Sequence, residues 1–306
     1  MAIFVLLAAI GLAMAPSRPE IHLTHISERF DQVDWSKLPT SEFLQARDGE
    51  QIAYRRYTGD PKQIVLALHG SGGAGNALHP LAQALNENGY TVIVPDIRGH
   101  GASGRRGDVD YIGQVQDDLD DLRKALPEFA GAENAHLLGF SMGGGIALSY
   151  GAASNNFDSV TLLSPYLAHD AAPMADKNPY APEVPWATPS IPRIISLSTL
   201  NSFGITAFNH LPVVALATDP NDDGATVPAY TFRMMQSVNP TDWATDLAST
   251  KAPLTIVVGA EDELHGAPGY QGLSDVNVQV VPGVDHMGIT LADAGIAAAV
   301  SALKGQ

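Results

Sequence analysis

The chain has 306 residues, of which 45% are hydrophobic and 7% aromatic, so it can bury one sizeable core and is not expected to be disordered. Its 33 acidic residues outnumber 17 basic ones, and without a basic patch the net charge of -16 argues against binding to a nucleic acid. The lack of cysteine excludes disulfides, thiolate zinc sites and a cysteine nucleophile.

The first 15 residues carry no charged side chain and end in Ala13-Met14-Ala15 before Pro16. A membrane-spanning helix needs about 20 apolar residues, whereas this shorter stretch with its A-x-A ending is typical of a signal peptide. No Lys or Arg precedes it, and Pro16 directly follows the candidate cleavage site, so an uncleaved membrane tether is the alternative. We expect an exported (periplasmic or extracytoplasmic) or membrane-tethered protein, with a cytoplasmic location as the alternative.

After an N-terminal extension at residues 16–42, two partly alternating segments flank Asp48-Gly49, which predicts an antiparallel hairpin. Short runs that are apolar on both faces are typical of central parallel strands, and they occur at 64–68, 91–94, 136–140, 159–163, 254–258 and 276–281. Segments with helical spacing lie between them, at 77–88, 112–126, 144–153 and 289–303. This alternation predicts an α/β fold with a mostly parallel, doubly wound sheet and helices on both faces.

The alternation stops between residues 165 and 236. Ten of the 21 prolines lie between Pro165 and Pro228, together with five aromatic residues. The prolines exclude a regular array of helices, and the aromatic residues argue against a disordered linker. We therefore predict an inserted cap at 165–236, which divides the core into residues 43–164 and 237–306.

A G-x-S-x-G motif occurs once, as Gly139-Phe140-Ser141-Met142-Gly143, where a predicted strand gives way to a predicted helix. A nucleophile elbow of this kind holds its serine in a strained backbone conformation, and the two glycines avoid clashes with the strand and the helix. A glycine-rich turn in an unrelated α/β fold is the alternative. The context favours Ser141 as the nucleophile.

A serine hydroxyl needs a base to accept its proton and a third group to orient that base. Where the serine lies on a nucleophile elbow between a strand and a helix, the order along the chain is serine, acid, histidine. We predict Asp262, after the strand at 254–258, as the acid and His286, after the strand at 276–281, as the base. Glu261 and Glu263 remain alternatives for the acid. Three further histidines also follow predicted strands and compete for the base, namely His69, His100 and His265.

Two backbone N–H groups should face the oxyanion that develops during acyl transfer. We predict that Met142 donates one and that Ser71, in the glycine-rich loop at 69–73, donates the other. That loop lacks the Gly-Lys-Ser/Thr ending of a P-loop and the spacing of a dinucleotide fingerprint, so a phosphate site is a weak alternative.

A calcium-binding loop is an alternative interpretation of residues 219–230. Asp219, Asn221 and Asp223 match three of its ligand positions, but Tyr230 stands where a bidentate Glu is required, so a turn is the better interpretation.

These motifs together resemble the α/β-hydrolase superfamily: His69-Gly70, the loop 96–101, the elbow at 139–143, Gly259-x-x-Asp262, and His286. The nearest branch is the monoacylglycerol lipase and lysophospholipase group, also filed as serine aminopeptidase-like hydrolases, and the resemblance covers residues 43 to 303. It implies an α/β-hydrolase fold, a catalytic triad, and a cap over an acyl pocket.

The resemblance implies hydrolysis of a small-molecule carboxylic ester, of monoacylglycerol or lysophospholipid type, through an acyl-enzyme on Ser141 and without a metal or other cofactor. Membrane association through residues 1–15 would suit a lipid substrate. Amide cleavage, as in aminopeptidases, needs a cap carboxylate such as Asp176 or Glu183. A cofactor-free peroxidase or an acyltransferase could use the same triad, and a non-catalytic ligand-binding homologue is a further alternative.

Overall fold

The computed structural model describes residues 9–19, 29–168, 171, 185–218, 226–273 and 276–305. Eight strands of the described chain form the main sheet, namely β1 (Glu42–Gln45), β2 (Gln51–Tyr57), β3 (Asp60–Leu68), β4 (Tyr90–Pro95), β5 (Asn134–Phe140), β6 (Ser159–Leu163), β10 (Leu254–Gly259) and β11 (Asn277–Val281). Three shorter strands form a second sheet, namely β7 (Ala187–Pro189), β8 (Pro212–Leu216) and β9 (Ala229–Thr231).

The main sheet has the strand order β1-β2-β4-β3-β5-β6-β10-β11. β1 and β2 form the predicted antiparallel hairpin, β2 also runs antiparallel to β4, and the remaining neighbours are parallel. The central strands are buried on both faces, as their continuous apolar sequences predict. The prediction of a mostly parallel sheet with an antiparallel hairpin is confirmed. Strand β3 begins earlier than predicted, at Asp60, because Asp60 pairs with Tyr90 of β4 and Gln63 pairs with Asn134 of β5.

Helices cover both faces of this sheet. The numbered helices are α1 (His79–Glu87), α2 (Gln114–Ala125), α3 (Pro127–Gly131), α4 (Met142–Ser154), α5 (Ile191–Ser202), α6 (Phe232–Val238), α7 (Trp243–Ser249), α8 (Ala267–Gln271), α9 (Gly288–Leu291) and α10 (Asp293–Lys304), of which α5 packs on the second sheet instead. One apolar cluster joins α2 and α4 to the sheet, and a second joins α1 and α10 to it. Parallel strands between two helical layers have their carboxyl ends along one edge, where the loops that carry function meet.

The predicted cap interval, residues 165–236, contains the antiparallel sheet β7-β8-β9 with helix α5 beside it. A small apolar cluster of Leu197, Val213 and Phe232 joins these elements. Residues 169–170, 172–184 and 219–225 lie outside the described residues, and with them Asp176, Glu183 and the calcium-loop positions Asp219, Asn221 and Asp223.

The N-terminal segment contacts the cap interval. Residues 9–13 are helical, and Leu12 packs against the cluster around Leu197. The Leu12 carbonyl accepts a hydrogen bond from Nε of the buried Arg193 at 2.8 Å, and the Met14 carbonyl accepts one from Ser190 Oγ at 2.5 Å. Residues 1–8, most of the predicted signal peptide, lie outside the described residues. Within the described ranges no helix is both long and apolar enough to cross a bilayer.

Candidate active site

Ser141 lies on a sharp turn between β5 and α4, with φ 52° and ψ -117°. A residue other than glycine is strained at positive φ, and the flanking glycines permit the turn. A Cβ on Gly139 would clash with the Gly143 carbonyl, and one on Gly143 would clash with the carbonyl of Leu68 on the neighbouring strand. The G-x-S-x-G spacing therefore follows from the close approach of strand and helix at this point.

The structure brings Ser141, His286 and Asp262 together. His286 Nε2 lies 3.0 Å from Ser141 Oγ, and His286 Nδ1 lies 2.9 Å from Asp262 Oδ2. A carboxylate can only accept, so Nδ1 carries the ring proton of the neutral imidazole and Nε2 is free to accept from the serine hydroxyl. All three side chains are buried. The arrangement is that of a nucleophile, its base and an orienting acid.

The Asp262 carboxylate is fixed by its own loop. Its Oδ1 accepts backbone N–H groups of Leu264 at 2.9 Å and of His265 at 2.7 Å. Of the two alternatives for the acid, Glu261 is exposed, and Glu263 accepts the backbone N–H of His286 at 3.0 Å instead of contacting its ring. Asp262 is therefore the carboxylate that contacts the imidazole.

Charges at the site favour an ionised acid beside a basic imidazole. Burial raises the pKa of Asp262, but the charge and hydrogen bond of His286 outweigh it and lower that pKa to about 2. Burial lowers the pKa of His286, but the charge and hydrogen bond of Asp262 and the charges of Glu263 and Asp285 raise it above its ordinary 6.5. The imidazole thus holds a proton more firmly than free histidine, as a general base for a hydroxyl requires.

The predicted oxyanion donors lie on the two segments that flank Ser141. Met142 is the first residue of α4, and the first N–H groups of a helix have no intrahelical acceptor. Ser71 lines the same cavity as Ser141, and a Cβ on its neighbour Gly70 would lie 3.3 Å from Ser141 Cβ. Both predicted donors are therefore next to the nucleophile.

A cavity of about 180 Å³ opens above Ser141 and His286. Its walls are mainly apolar and come from the core, the extension and the cap interval, with Phe30, Ala77, Phe140, Trp186, Leu216, Ala217, Leu264 and Met287 among them. Glu263 is the acidic residue among the described residues of the lining. An apolar cavity with a few polar groups at one end is typical of a small-molecule site.

The three competing histidines have structural contacts instead. His265 Nδ1 lies 2.9 Å from the Ser164 carbonyl, and its ring meets that of His286 edge-on with centroids 4.8 Å apart. Burial lowers the pKa of His265 to about 4, and that of His100 to about 3, so both stay neutral. The ring of His69, at the start of the 69–73 loop, meets that of His100 edge-on with centroids 5.1 Å apart. Sequence reasoning missed the supporting contacts that Glu263 and His265 make. The one sequence signal for these two residues was their position close after Asp262 in the chain.

One group of metal-ligand type occurs within the described ranges. Asp262, His265 and His286 offer donor atoms within 4.8 Å of one another. Since Asp262 and His286 already hydrogen-bond each other there, a metal ion would compete with the contact that orients the imidazole. These three side chains are better suited to orienting a catalytic base than to forming the closed coordination shell of a structural metal ion.

Comparison with known proteins agrees with this geometry. A monoacylglycerol lipase of Mycolicibacterium smegmatis is 28% identical over 254 residues, which cover 78% of this chain and 86% of that protein. The Paleococcus ferrophilus monoacylglycerol lipase structure superposes with a TM-score of 0.60 at 20% identity, covering 83% of this chain and 98% of that one. A soluble variant of the Saccharomyces cerevisiae monoglyceride lipase gives a TM-score of 0.62 at 17% identity, covering 90% and 96%. Both of these structures are similar in fold to this chain.

The family model described as serine aminopeptidase, S33, matches residues 59–287. This range includes the glycine-rich loop, the elbow, Asp262 and His286, and it covers well over half of the chain. The chain belongs to this serine aminopeptidase, S33, family of α/β-hydrolases.

Proposed function

We propose that the protein is a serine hydrolase that cleaves lipid-like carboxylic esters, of monoacylglycerol or lysophospholipid type, through an acyl-enzyme on Ser141. The observation that carries the proposal is the 3.0 Å contact of His286 Nε2 with Ser141 Oγ beneath a mainly apolar cavity. The ester-hydrolase class is supported by the M. smegmatis relative, whose name is monoacylglycerol lipase and which this chain matches over 78% of its length.

In the proposed reaction, Ser141 Oγ attacks the ester carbonyl carbon while His286 Nε2 takes the hydroxyl proton. The carbonyl oxygen becomes an oxyanion facing the amides of Ser71 and Met142. Collapse of this intermediate expels the alcohol, which receives the proton from His286, and leaves the acyl group on Ser141. Water then gives a proton to His286 and attacks the acyl carbon. Collapse of the second intermediate breaks the bond to Ser141 Oγ, which takes the proton back from His286 as the carboxylic acid leaves. Asp262 stays ionised and stabilises the imidazolium in both steps.

The cavity supports an acyl substrate. Burial of methylene groups against Trp186, Leu216 and Met287 would stabilise an acyl chain by about 0.8 kcal/mol per CH₂ group. An aminopeptidase substrate would need a carboxylate for its amine, and Glu263 is the candidate in the described lining. That carboxylate is engaged by the His286 backbone N–H, which favours the ester.

For location, we propose that residues 1–15 act as a retained tether near a lipid surface. Support comes from the buried Arg193, which donates to the Leu12 carbonyl at 2.8 Å and to the Pro212 carbonyl at 2.8 Å, so removal of the segment would take away one of its acceptors. Residues 185–218 contain no Asp or Glu, in a chain with 33 of them, and several of their apolar side chains are exposed, including Ile191, Ile195, Phe203 and Phe208. Such an apolar surface without acidic side chains suits contact with lipid.

Labelling with a fluorophosphonate probe tests the enzyme assignment. We expect the wild type to be labelled and to hydrolyse medium-chain nitrophenyl esters, and Ser141→Ala to lose labelling and about 10⁵-fold or more of kcat. Ser149→Ala is the matched control, because Ser149 is on the same helix and its hydroxyl only bonds the Ile146 carbonyl at 3.2 Å. Equal labelling of wild type and Ser141→Ala would refute the assignment.

The substrate class needs a separate comparison. We expect medium-chain nitrophenyl esters to react with a higher kcat/KM than aminoacyl anilides, because the cavity wall is apolar. Faster turnover of the anilides would replace the ester proposal with an aminopeptidase-like activity on the same residues. Two comparisons of the full chain with a variant that lacks residues 1–15 then test the tether: the dependence of ester hydrolysis on acyl chain length, and binding to phospholipid vesicles. The tether predicts weaker binding to the vesicles after truncation.

A further inference from the structure

A tyrosine from the cap interval reaches the loop that carries a predicted oxyanion donor. Tyr230 is buried in β9, and its phenol oxygen accepts the Gly72 N–H at 3.0 Å. The Gly72 carbonyl in turn accepts the N–H of Val227 at 2.9 Å. Gly72 has φ +76°, so its backbone takes a conformation that suits glycine. Both backbone groups of Gly72 are therefore held by β9 and the residues just before it.

The direction of the proton at Tyr230 follows from its second partner. The phenol oxygen lies 2.7 Å from His100 Nε2, while His100 Nδ1 lies 3.2 Å and 3.3 Å from the carbonyl oxygens of Ile97 and Arg98. Carbonyl oxygens only accept, so Nδ1 carries the proton of this neutral imidazole and Nε2 accepts. The phenol consequently donates to His100, and its lone pairs accept from the Gly72 N–H and the Ser71 side chain. Burial raises the pKa of Tyr230, which keeps this donor protonated.

His69 fixes the neighbouring peptide group in a similar way. Its Nε2 accepts the Ile97 N–H at 3.0 Å, so Nδ1 carries the proton and donates to the Gly70 carbonyl at 2.8 Å. In a trans peptide the N–H points opposite to the C=O. The N–H of Ser71 therefore points away from His69, and Gly70 lies against Ser141. One peptide group of the loop is oriented by His69 and the next one by Tyr230.

Tyr230 also contacts the segment with the other predicted donor. Its phenol oxygen lies 3.5 Å from Sδ of Met142, the residue that follows Ser141. One side chain from the cap interval thus contacts both the 69–73 loop and the start of α4.

We propose that Tyr230 is a positioning residue for ester hydrolysis, which holds the 69–73 loop through Gly72 so that the Ser71 amide faces the developing oxyanion. This rests on the proposed function. It makes the cap interval part of the acyl-transfer machinery as well as a wall of the substrate cavity. Without the hydroxyl, the half-buried Gly72 N–H and the buried His100 Nε2 lose their partner, and the loop can rotate.

The test is Tyr230→Phe, which removes one oxygen and keeps the ring. Direct loss of an oxyanion donor costs about 10²- to 10³-fold in kcat, so we expect an indirect loss of about tenfold in kcat for a short ester, with KM changed less than about twofold. Affinity for a trifluoromethyl ketone, which forms a tetrahedral oxyanion on serine, should fall in parallel with kcat/KM, because both depend on the same amides.

Tyr57→Phe is the matched control. Tyr57 is a buried tyrosine whose hydroxyl bonds another histidine, His79 Nδ1, at 2.9 Å and lies outside the cavity lining. It should lose comparable thermal stability with kcat unchanged. Wild-type kcat and ketone affinity in Tyr230→Phe would overturn the inference, as would an equal loss of kcat in Tyr57→Phe. A wild type without esterase activity would instead defeat the proposed function.

His100→Leu gives a second route if Tyr230→Phe folds poorly, since it removes the acceptor of the phenol proton and leaves Tyr230 in place. We expect kcat to fall in the same direction. In the double variant the two effects should overlap, because both act through one hydrogen-bonded chain. Effects that multiply would show that Tyr230 and His100 act independently, which contradicts the proposal.

Discussion

The carboxyl edge of the main sheet and the cap interval are built differently. At the edge, Ser141, Asp262 and His286 are buried on loops that follow three parallel strands, and the loops contact one another closely. A Cβ on Gly259 would clash with the carbonyl of Val284, two residues before His286. In the cap interval, a small cluster of three buried side chains joins the elements, and Ile195 and Phe203 are 60% and 68% exposed.

This contrast separates two tasks. Acyl transfer needs atoms fixed to within a fraction of an ångström, and strand ends in a packed sheet supply that precision. Recognition of a flexible acyl chain needs apolar surface more than fixed geometry, and the cap interval supplies it through Trp186, Leu216 and Ala217. Substitutions at the edge should therefore change kcat, and substitutions of the cap-interval residues that line the cavity should change the dependence on chain length. Tyr230 is the exception within the cap interval, because its hydroxyl contacts the 69–73 loop.

The largest effect expected at the edge, apart from loss of Ser141 itself, is that of Asp262→Asn. An amide can donate to Nδ1 and so stabilise the tautomer with its proton on Nε2, which cannot accept the serine proton. We expect kcat for a short ester to fall about 10³- to 10⁴-fold.

Glu261→Gln and Glu263→Gln are the controls, since they make the same chemical change on either side of Asp262. Both should keep kcat at its pH plateau within about threefold, because neither carboxylate contacts the imidazole ring. A larger loss in Glu261→Gln than in Asp262→Asn would transfer the orienting role to Glu261.

The same contrast explains what the sequence could predict. The sheet, the hairpin and the elbow depend on local patterns, namely continuous apolar runs, Asp48-Gly49 and the spacing of two glycines around Ser141. Asp262 and His286 were found because each directly follows a predicted strand, and parallel strands end at one edge. The contact of Tyr230 with Gly72 joins residues 158 positions apart and leaves no local pattern. Within the cap, prolines predicted irregular structure but not which short strands pair.

In the cap, Trp186→Ala should sharpen the comparison. Loss of this indole removes apolar surface from the cavity. Burial of the acyl chain would then contribute about one to two kcal/mol less to binding, which corresponds to about tenfold in kcat/KM. We expect kcat/KM for an octanoyl ester to fall about tenfold, while that for an acetyl ester changes less than about threefold, as steady-state kinetics over chain length would measure.

Phe208→Ala is the control for Trp186→Ala, because Phe208 is an aromatic residue of the same interval that is 41% exposed and lies outside the cavity lining. It should leave the chain-length profile unchanged. If Trp186→Ala lowered kcat/KM for the octanoyl and the acetyl ester equally, Trp186 would act on the chemical step. The division of tasks between the edge and the cavity wall of the cap interval would then be wrong.

The smallest expected effect is a shift in the pH profile of Glu263→Gln. His286 must be neutral to act as a base, so the rate should rise with pH through its pKa, which lies above 6.5. The negative charge of Glu263 is one of the causes that raise this pKa, since it favours the imidazolium. A glutamine keeps an oxygen that can accept the His286 N–H but removes the charge, so the pKa should fall. The acid limb of kcat/KM should then move to lower pH with the plateau little changed. An acid limb that stays in place, or moves to higher pH, would show that the titrating group at the edge is not the imidazole of His286.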